Sequence, residues 1–376
     1  MPVEFIGLVA TQEFSEIVAR PGPLVDLEFT RRIARAHEDN DFDQVLIGYA
    51  STQPDGLQVA AYAAAHTERL SYLVAQRPGF LFPTVAARAF ATLDQFTGGR
   101  LALNIITGGS DAEQRRDGDY LAKDDRYDRT DEFLQILRQA WTADAPFSFA
   151  GKHYRFDDFI ANVRPTRPDG VPIYFSGSSD AAYRVGARHA DVYMFWGEPL
   201  AQVAEQIDRV RQEAAAAGRA VPRFSVSFRP ILGATEELAW ARAEQILDRI
   251  TGKGLQEQYK SFFRSPSGSA VSPQNAGSQR LLAAAAQQDR HDRALWTAPA
   301  KATGAAGNST ALVGTPETVA AALLDYYDIG VTTFLIRGYD PYDDVLDYGR
   351  DLIPTVRAEI ARRDAAPLPA GAAEAS

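Results

Sequence analysis

Eight short apolar runs, each with a stretch of helical spacing downstream, constrain this 376-residue chain more than any other feature. The runs at 3–10, 42–49, 70–76, 101–106, 172–175, 190–195, 223–232 and 331–336 have strand length. Segments 24–40, 55–67, 84–96, 127–142, 180–189, 201–217, 236–250 and 343–362 carry the helical pattern. A further helix at 315–328 is opened by Thr-Pro-Glu. Strands apolar on both faces need cover on both faces, which a parallel sheet wrapped in helices supplies. Eight regular units without a switch point favour closure into a (β/α)8 TIM barrel over an open doubly wound sheet. Such a barrel needs roughly 250 residues, so this α/β chain carries insertions.

Two insertions are expected. Segment 143–170 contains an aromatic, alternating stretch at 151–163 that reads as a small hairpin. Segment 252–310 follows the seventh strand, is rich in Gly, Ser, Ala and Gln, and reads as a mobile lid over the functional face. Residues 1–364 then form one domain, and 365–376 a flexible tail.

Composition narrows the partners. Zero cysteines exclude disulfides, thiolate metal sites and a cysteine nucleophile, and are compatible with the cytoplasm. A net charge of −10 without a Lys/Arg block argues against nucleic acid. No apolar run approaches the roughly 18 residues of a transmembrane helix, and the N-terminus lacks the basic start of a signal peptide. The five histidines are scattered, with none at a metal-binding i, i+4 spacing, so no metal site is expected. Nucleophile-elbow and Walker signatures are absent too. An organic cofactor bearing phosphate is what remains.

In a barrel, the loops after the strands build the site. Asn104 interrupts the apolar fourth strand just before Thr107-Gly108-Gly109-Ser110-Asp111. A buried amide is costly unless bonded, so it is either satisfied by backbone or aimed at a ligand. Ser176-Gly177-Ser178-Ser179 precedes a helix and suits either phosphate binding or simple capping. Arg126-Tyr127 opens a helix, where an arginine is unfavourable unless it meets an anion. Trp196 and Tyr339 are either core aromatics or walls for a flat ring.

Arg77-Pro78, Pro83 to Arg88, Thr92-Leu93-Asp94, Gly98-Gly99-Arg100, Asn104 to Gly108, Arg126-Tyr127, Ser176 to Asp180, Trp196 to Pro199 and Thr310 to Gly314 together resemble the bacterial-luciferase-like flavin-dependent monooxygenases. The alkanesulfonate monooxygenases are the nearest group, and the likeness spans nearly the whole chain. It implies a TIM barrel with a lid, FMN used as FMNH2, and O2 as oxidant. It implies a separate NAD(P)H-dependent flavin reductase as partner, a small organosulfur substrate, and a homodimer or homotetramer. Carried over by position, Tyr49, Ala50, Asn104, Glu113, Arg126, Tyr127, Ser178 and Ser179 resemble the cofactor contacts. Trp196 and Tyr339 match substrate-side positions, with Gln53 and Arg229 as the remaining catalytic candidates.

The departures bear on the substrate. Gln12 and Gln53 stand where the sulfonate-cleaving members have histidine and cysteine, and Ser227-Phe228-Arg229 stands for Arg-x-His. Arg229 suits a sulfonate or carboxylate but stays charged, so it is a poor general acid. It is expected on the pocket floor, facing the substrate's anionic group. Three readings follow: an alkanesulfonate-desulfonating monooxygenase, the same flavin chemistry on a sulfone, N-heterocycle or carboxylate, and a non-catalytic flavin-binding barrel.

Overall fold

A computed structural model describes residues 3–20, 22–252, 273–305, 307 and 309–365. The strands, in chain order, are β1 (Glu4–Leu8), β2 (Gln44–Ile47), β3 (Ser71–Gln76), β4 (Leu101–Ile105), β5 (Phe147–Ala150), β6 (Arg155–Phe159), β7 (Ile173–Ser176), β8 (Val192–Trp196), β9 (Arg223–Leu232), β10 (Arg290–His291), β11 (Leu295–Trp296), β12 (Ala311–Gly314) and β13 (Val331–Ile336). Strands β1, β2, β3, β4, β7, β8, β9 and β13 pair in parallel, and the β13–β1 and β8–β9 pairings close the ring. The (β/α)8 barrel is thus the architecture.

Period-two alternation divides the side chains between two layers. Ile6, Leu46, Leu73, Ala102, Tyr174, Val192, Met194 and Leu335 pack together inside the barrel. Their neighbours Phe5, Val45, Tyr72, Val74, Leu103, Phe175, Tyr193 and Phe334 belong to the outer core beneath the helices. Both faces of the strands are therefore dry, which is why they read as continuous apolar runs.

Strand β9 serves two sheets. Its first half, Phe224 to Phe228, pairs with β13, and its second half, Arg229 to Leu232, pairs with β12. Strands β10 and β11 extend that second sheet antiparallel. The segment 252–310, expected as a mobile lid, carries regular structure where it is described. Residues 253–272 lie outside the described residues, but the rest holds β10, β11 and helices Ala276–Gln287 and Ala298–Thr303. Of the expected tail, 366–376 lie outside the described residues, and Ala365 ends a helix. The 143–170 insertion forms the β5–β6 hairpin, starting earlier than the sequence suggested, with Phe147 edge-on to Phe156 and Phe159. Among the described residues no helix is long and apolar enough to cross a membrane.

Candidate active site

The inner-face alternation carries chemistry to one rim. Two residues beyond the lining positions Ala102, Tyr174, Met194 and Leu335 come Asn104, Ser176, Trp196 and Arg337. Arg77 follows Leu73 and Ala75 in the same way. All sit at the C-terminal ends of strands, the functional face of such a barrel.

At the centre, Ser176 Oγ donates to Asn104 Oδ1 at 3.1 Å. Among the described residues no acceptor meets the Asn104 amide Nδ2, although the residue is buried. That leaves a donor pair for a ligand at the mouth.

One flank is built for an anion. Ser179 ends the β7 loop, and its Oγ accepts from Ala182 N at 3.3 Å, capping helix Asp180–His189. Ser178 and Gly177 lie half-buried beside it. Gly177 has φ +152°, and a Cβ there would stand 2.7 Å from Ala182 Cβ and 3.2 Å from the Tyr127 hydroxyl. Tyr193 fixes the loop by donating its hydroxyl to Gly177 O at 2.8 Å. The helix N-terminus, the serines and the Tyr127 hydroxyl thus converge, as an oxyanion ligand requires.

On the opposite flank the loops lock one another. Glu113 accepts from Arg77 Nη2 at 2.7 Å and from Ser51 N at 3.1 Å. The Arg77 guanidinium lies 4.5 Å above the Tyr49 ring, whose hydroxyl donates to Asp117 at 2.9 Å. Burial and the Asp117 carboxylate both push the Tyr49 phenol up. Ala50 O receives Gln53 N at 3.0 Å, which makes a turn of this loop. Glu113 and Tyr49, expected as cofactor contacts, are therefore already engaged with protein partners. Arg126 behaves likewise. Helix Lys123–Thr142 begins before it, and Nη1 donates to Asp111 at 2.9 Å and Leu121 O at 2.7 Å.

The substrate-side expectations change most. Arg229 does not offer its charge to an incoming anion. Its Nη1 and Nη2 meet Glu16 Oε1 and Oε2 at 2.8 and 2.9 Å, and Nε and Nη2 also donate to the carbonyls of Arg337 and Gly338. Burial raises the Glu16 pKa, but Arg229 and Arg337 outweigh it and hold the carboxyl well below the usual carboxylate range. Tyr339 stacks on Arg229 at 3.7 Å and packs with Ile17, Ile231 and Trp296, in a core beside the barrel rather than at its centre. Burial pushes its phenol up to about 12. Gln53 stays on its turn, donating Nε2 to Thr52 O at 3.4 Å.

Trp196 stands at the end of β8 and packs against Leu281 and Ala300, so the described part of the insertion lies on it. A Cβ on Gly277 would approach Trp196 Cε3 to 2.9 Å, so glycine is what lets helix Ala276–Gln287 come so close. Arg280 of that helix donates to the fully buried Glu198 at 2.8 Å. Just before the helix, Gln274 Oε1 accepts from Asp111 N at 2.9 Å. The segment thus spans from the β4 loop to the β8 loop.

Glu16, Asp111, Asp117 and the role of Arg337 were not legible in sequence. The one available signal was an arginine directly after an apolar strand, as at Arg77 and Arg337.

Residues 3–333 match the model of a family described as luciferase-like monooxygenase. A riboflavin lyase solved with modified FMN and riboflavin superposes with a TM-score of 0.78 at 21% identity, covering 96% of this chain and 92% of that one. The EDTA monooxygenase of Chelativorans gives 0.76 at 18% identity over 98% and 95%. The oxygenating constituent of the 3,6-diketocamphane monooxygenase of Pseudomonas putida, solved with FMN, gives 0.64 at 19% identity over 96% and 99%. At these identities the likeness establishes a shared fold.

Proposed function

Because the chain belongs to the luciferase-like monooxygenases, we propose that it is the oxygenase of a two-component system that uses FMNH2 and O2 to cleave an alkanesulfonate. Similar structures hold FMN or modified FMN, and one is an oxygenating constituent, which supports a separate flavin reductase as partner. The reading rests on one observation above the rest: the cradle at Gly177, where a side chain would collide, under two serines at a helix N-terminus.

The cradle fits an FMN phosphate. Ser178, Ser179 and Tyr127 would bind it through hydroxyls, and the helix dipole adds favourable potential. Asn104 would address the polar edge of the ring with its amide, oriented by Ser176. Trp196 and the segment spanning it would keep water from the mouth. Bound reduced FMN supplies the two electrons that activate O2. One oxygen atom goes to the carbon bearing sulfur, the C–S bond breaks, and sulfite, an aldehyde and water result.

The test is anaerobic titration with reduced FMN, then oxygen, with 1-octanesulfonate present. Binding, oxygen uptake and stoichiometric sulfite are expected. Oxygen uptake without sulfite across alkanesulfonates would move the substrate to a sulfone, carboxylate or N-heterocycle. Binding of FMNH2 without oxygen transfer to any of these would leave a flavin-binding barrel.

A further inference from the structure

Glu16 is shared by two arginines. Its Oε1 accepts from Arg229 Nη1 at 2.8 Å and from Arg337 Nη2 at 2.7 Å. The trio carries one positive charge more than it neutralises. Arg229 and Glu16 have side chains only 1% and 4% exposed, whereas that of Arg337 is 28% exposed. The excess charge therefore reaches the surface of the rim through Arg337.

Three further facts set Arg337 apart. Among the described residues its guanidinium donates to Glu16 only, and its Nε is buried with no acceptor. Of the carboxylates that follow it in the chain, Asp340 and Asp344 are held by Arg242 at 3.3 and 2.5 Å, and Asp343 is exposed. It stands directly after β13, two residues beyond the barrel-lining Leu335. A guanidinium fixed on one edge and short of acceptors on the others is suited to fork an oxyanion.

Resting on the functional reading above, we infer that Arg337, rather than Arg229, receives the anionic group of the substrate. The substrate is then an organic anion, a sulfonate or a carboxylate. The global charge of −10 makes such a local cation necessary for anion capture.

The test is anaerobic calorimetric titration of the protein loaded with reduced FMN, using 1-octanesulfonate, octanoate and the uncharged octyl methyl sulfone. Wild type is expected to bind at least one anion roughly tenfold or more tighter than the sulfone, the margin of a charge-assisted hydrogen bond. Arg337→Gln removes that preference while leaving affinity for the sulfone and for FMN unchanged. Arg337→Lys keeps the charge and restores part of the preference, which guards against a folding defect in the first variant. The two anions distinguish sulfonate from carboxylate. Loss of the preference in neither variant, or its absence in wild type, overturns the inference while the flavin reading stands. Failure to bind reduced FMN at all overturns both.

Discussion

Arg229 and Glu16 form a two-pronged ion pair across 213 residues of chain, at 2.8 and 2.9 Å, with both side chains almost wholly buried. A buried pair is expensive to break, because the survivor is left charged without its partner. Arg229→Met should destabilise by about 3 kcal/mol or more. The double variant Glu16→Leu with Arg229→Met should lose less than the single one, since no buried carboxylate is left to Arg337 alone, and Arg337, with a side chain 28% exposed, can turn to water. Urea unfolding of the three proteins checks this, and equal losses would count against it. Glu16 sits below its ordinary value of 4.5, so its contribution is present above that pH and fades as the pH falls.

The two serines of the phosphate cradle should separate. Ser179→Ala removes a helix cap and should cost about 1 kcal/mol of stability. Ser178→Ala should leave the melting temperature in place and weaken FMN binding by about 1.5–3 kcal/mol, one hydrogen bond to a charged group. Riboflavin lacks the phosphate, so its affinity is the control. A Ser178→Ala protein that still prefers FMN over riboflavin as strongly as wild type contradicts the assignment.

His37 makes the fold sensitive to mild acid. Its Nδ1 donates to Ile33 O at 2.8 Å, and Nε2 accepts from Leu8 N at 3.3 Å, so the buried ring is neutral. Burial, opposed by the Ile33 bond, lowers its pKa from 6.5 to about 4. The unfolded chain takes up the proton first. Stability is therefore full above about pH 6.5 and declines by roughly 1.4 kcal/mol per unit toward pH 4. Denaturant midpoints measured from pH 7.5 to 4.5 should fall along that slope, and His37→Gln should flatten it.

Arg280 and Glu198 hold the helix over Trp196. Burial raises the Glu198 pKa and Arg280 opposes it. Arg280→Ala should loosen helix Ala276–Gln287, seen as faster amide exchange there. Exchange that stays at the wild-type rate would show the helix to be held by packing alone.

Much of the fold was legible because its pattern is local. Arg223–Leu232 and Val331–Ile336 were bounded as observed, since apolar runs stop at turn residues whatever surrounds them. The split role of β9 was not legible. Only the arrival of β12 beside Arg229 to Leu232 turns the second half of this ten-residue strand out of the barrel.

The site divides in the same way. Glycine at 177, serines before a helix, and a lone amide in an apolar strand were each narrowed to two readings, a local structural role or a ligand, by backbone and desolvation rules that need no partner. What Arg229 does depends on what stands next to it. Sequence by itself determined that these strands close into a barrel and that the β7 loop suits either an anion or a helix cap. Only the tertiary structure decided which charges remain for a ligand, because ion pairing joins residues such as Glu16, Arg229 and Arg337 that lie hundreds of positions apart, and no local pattern records which arginine a carboxylate will neutralise.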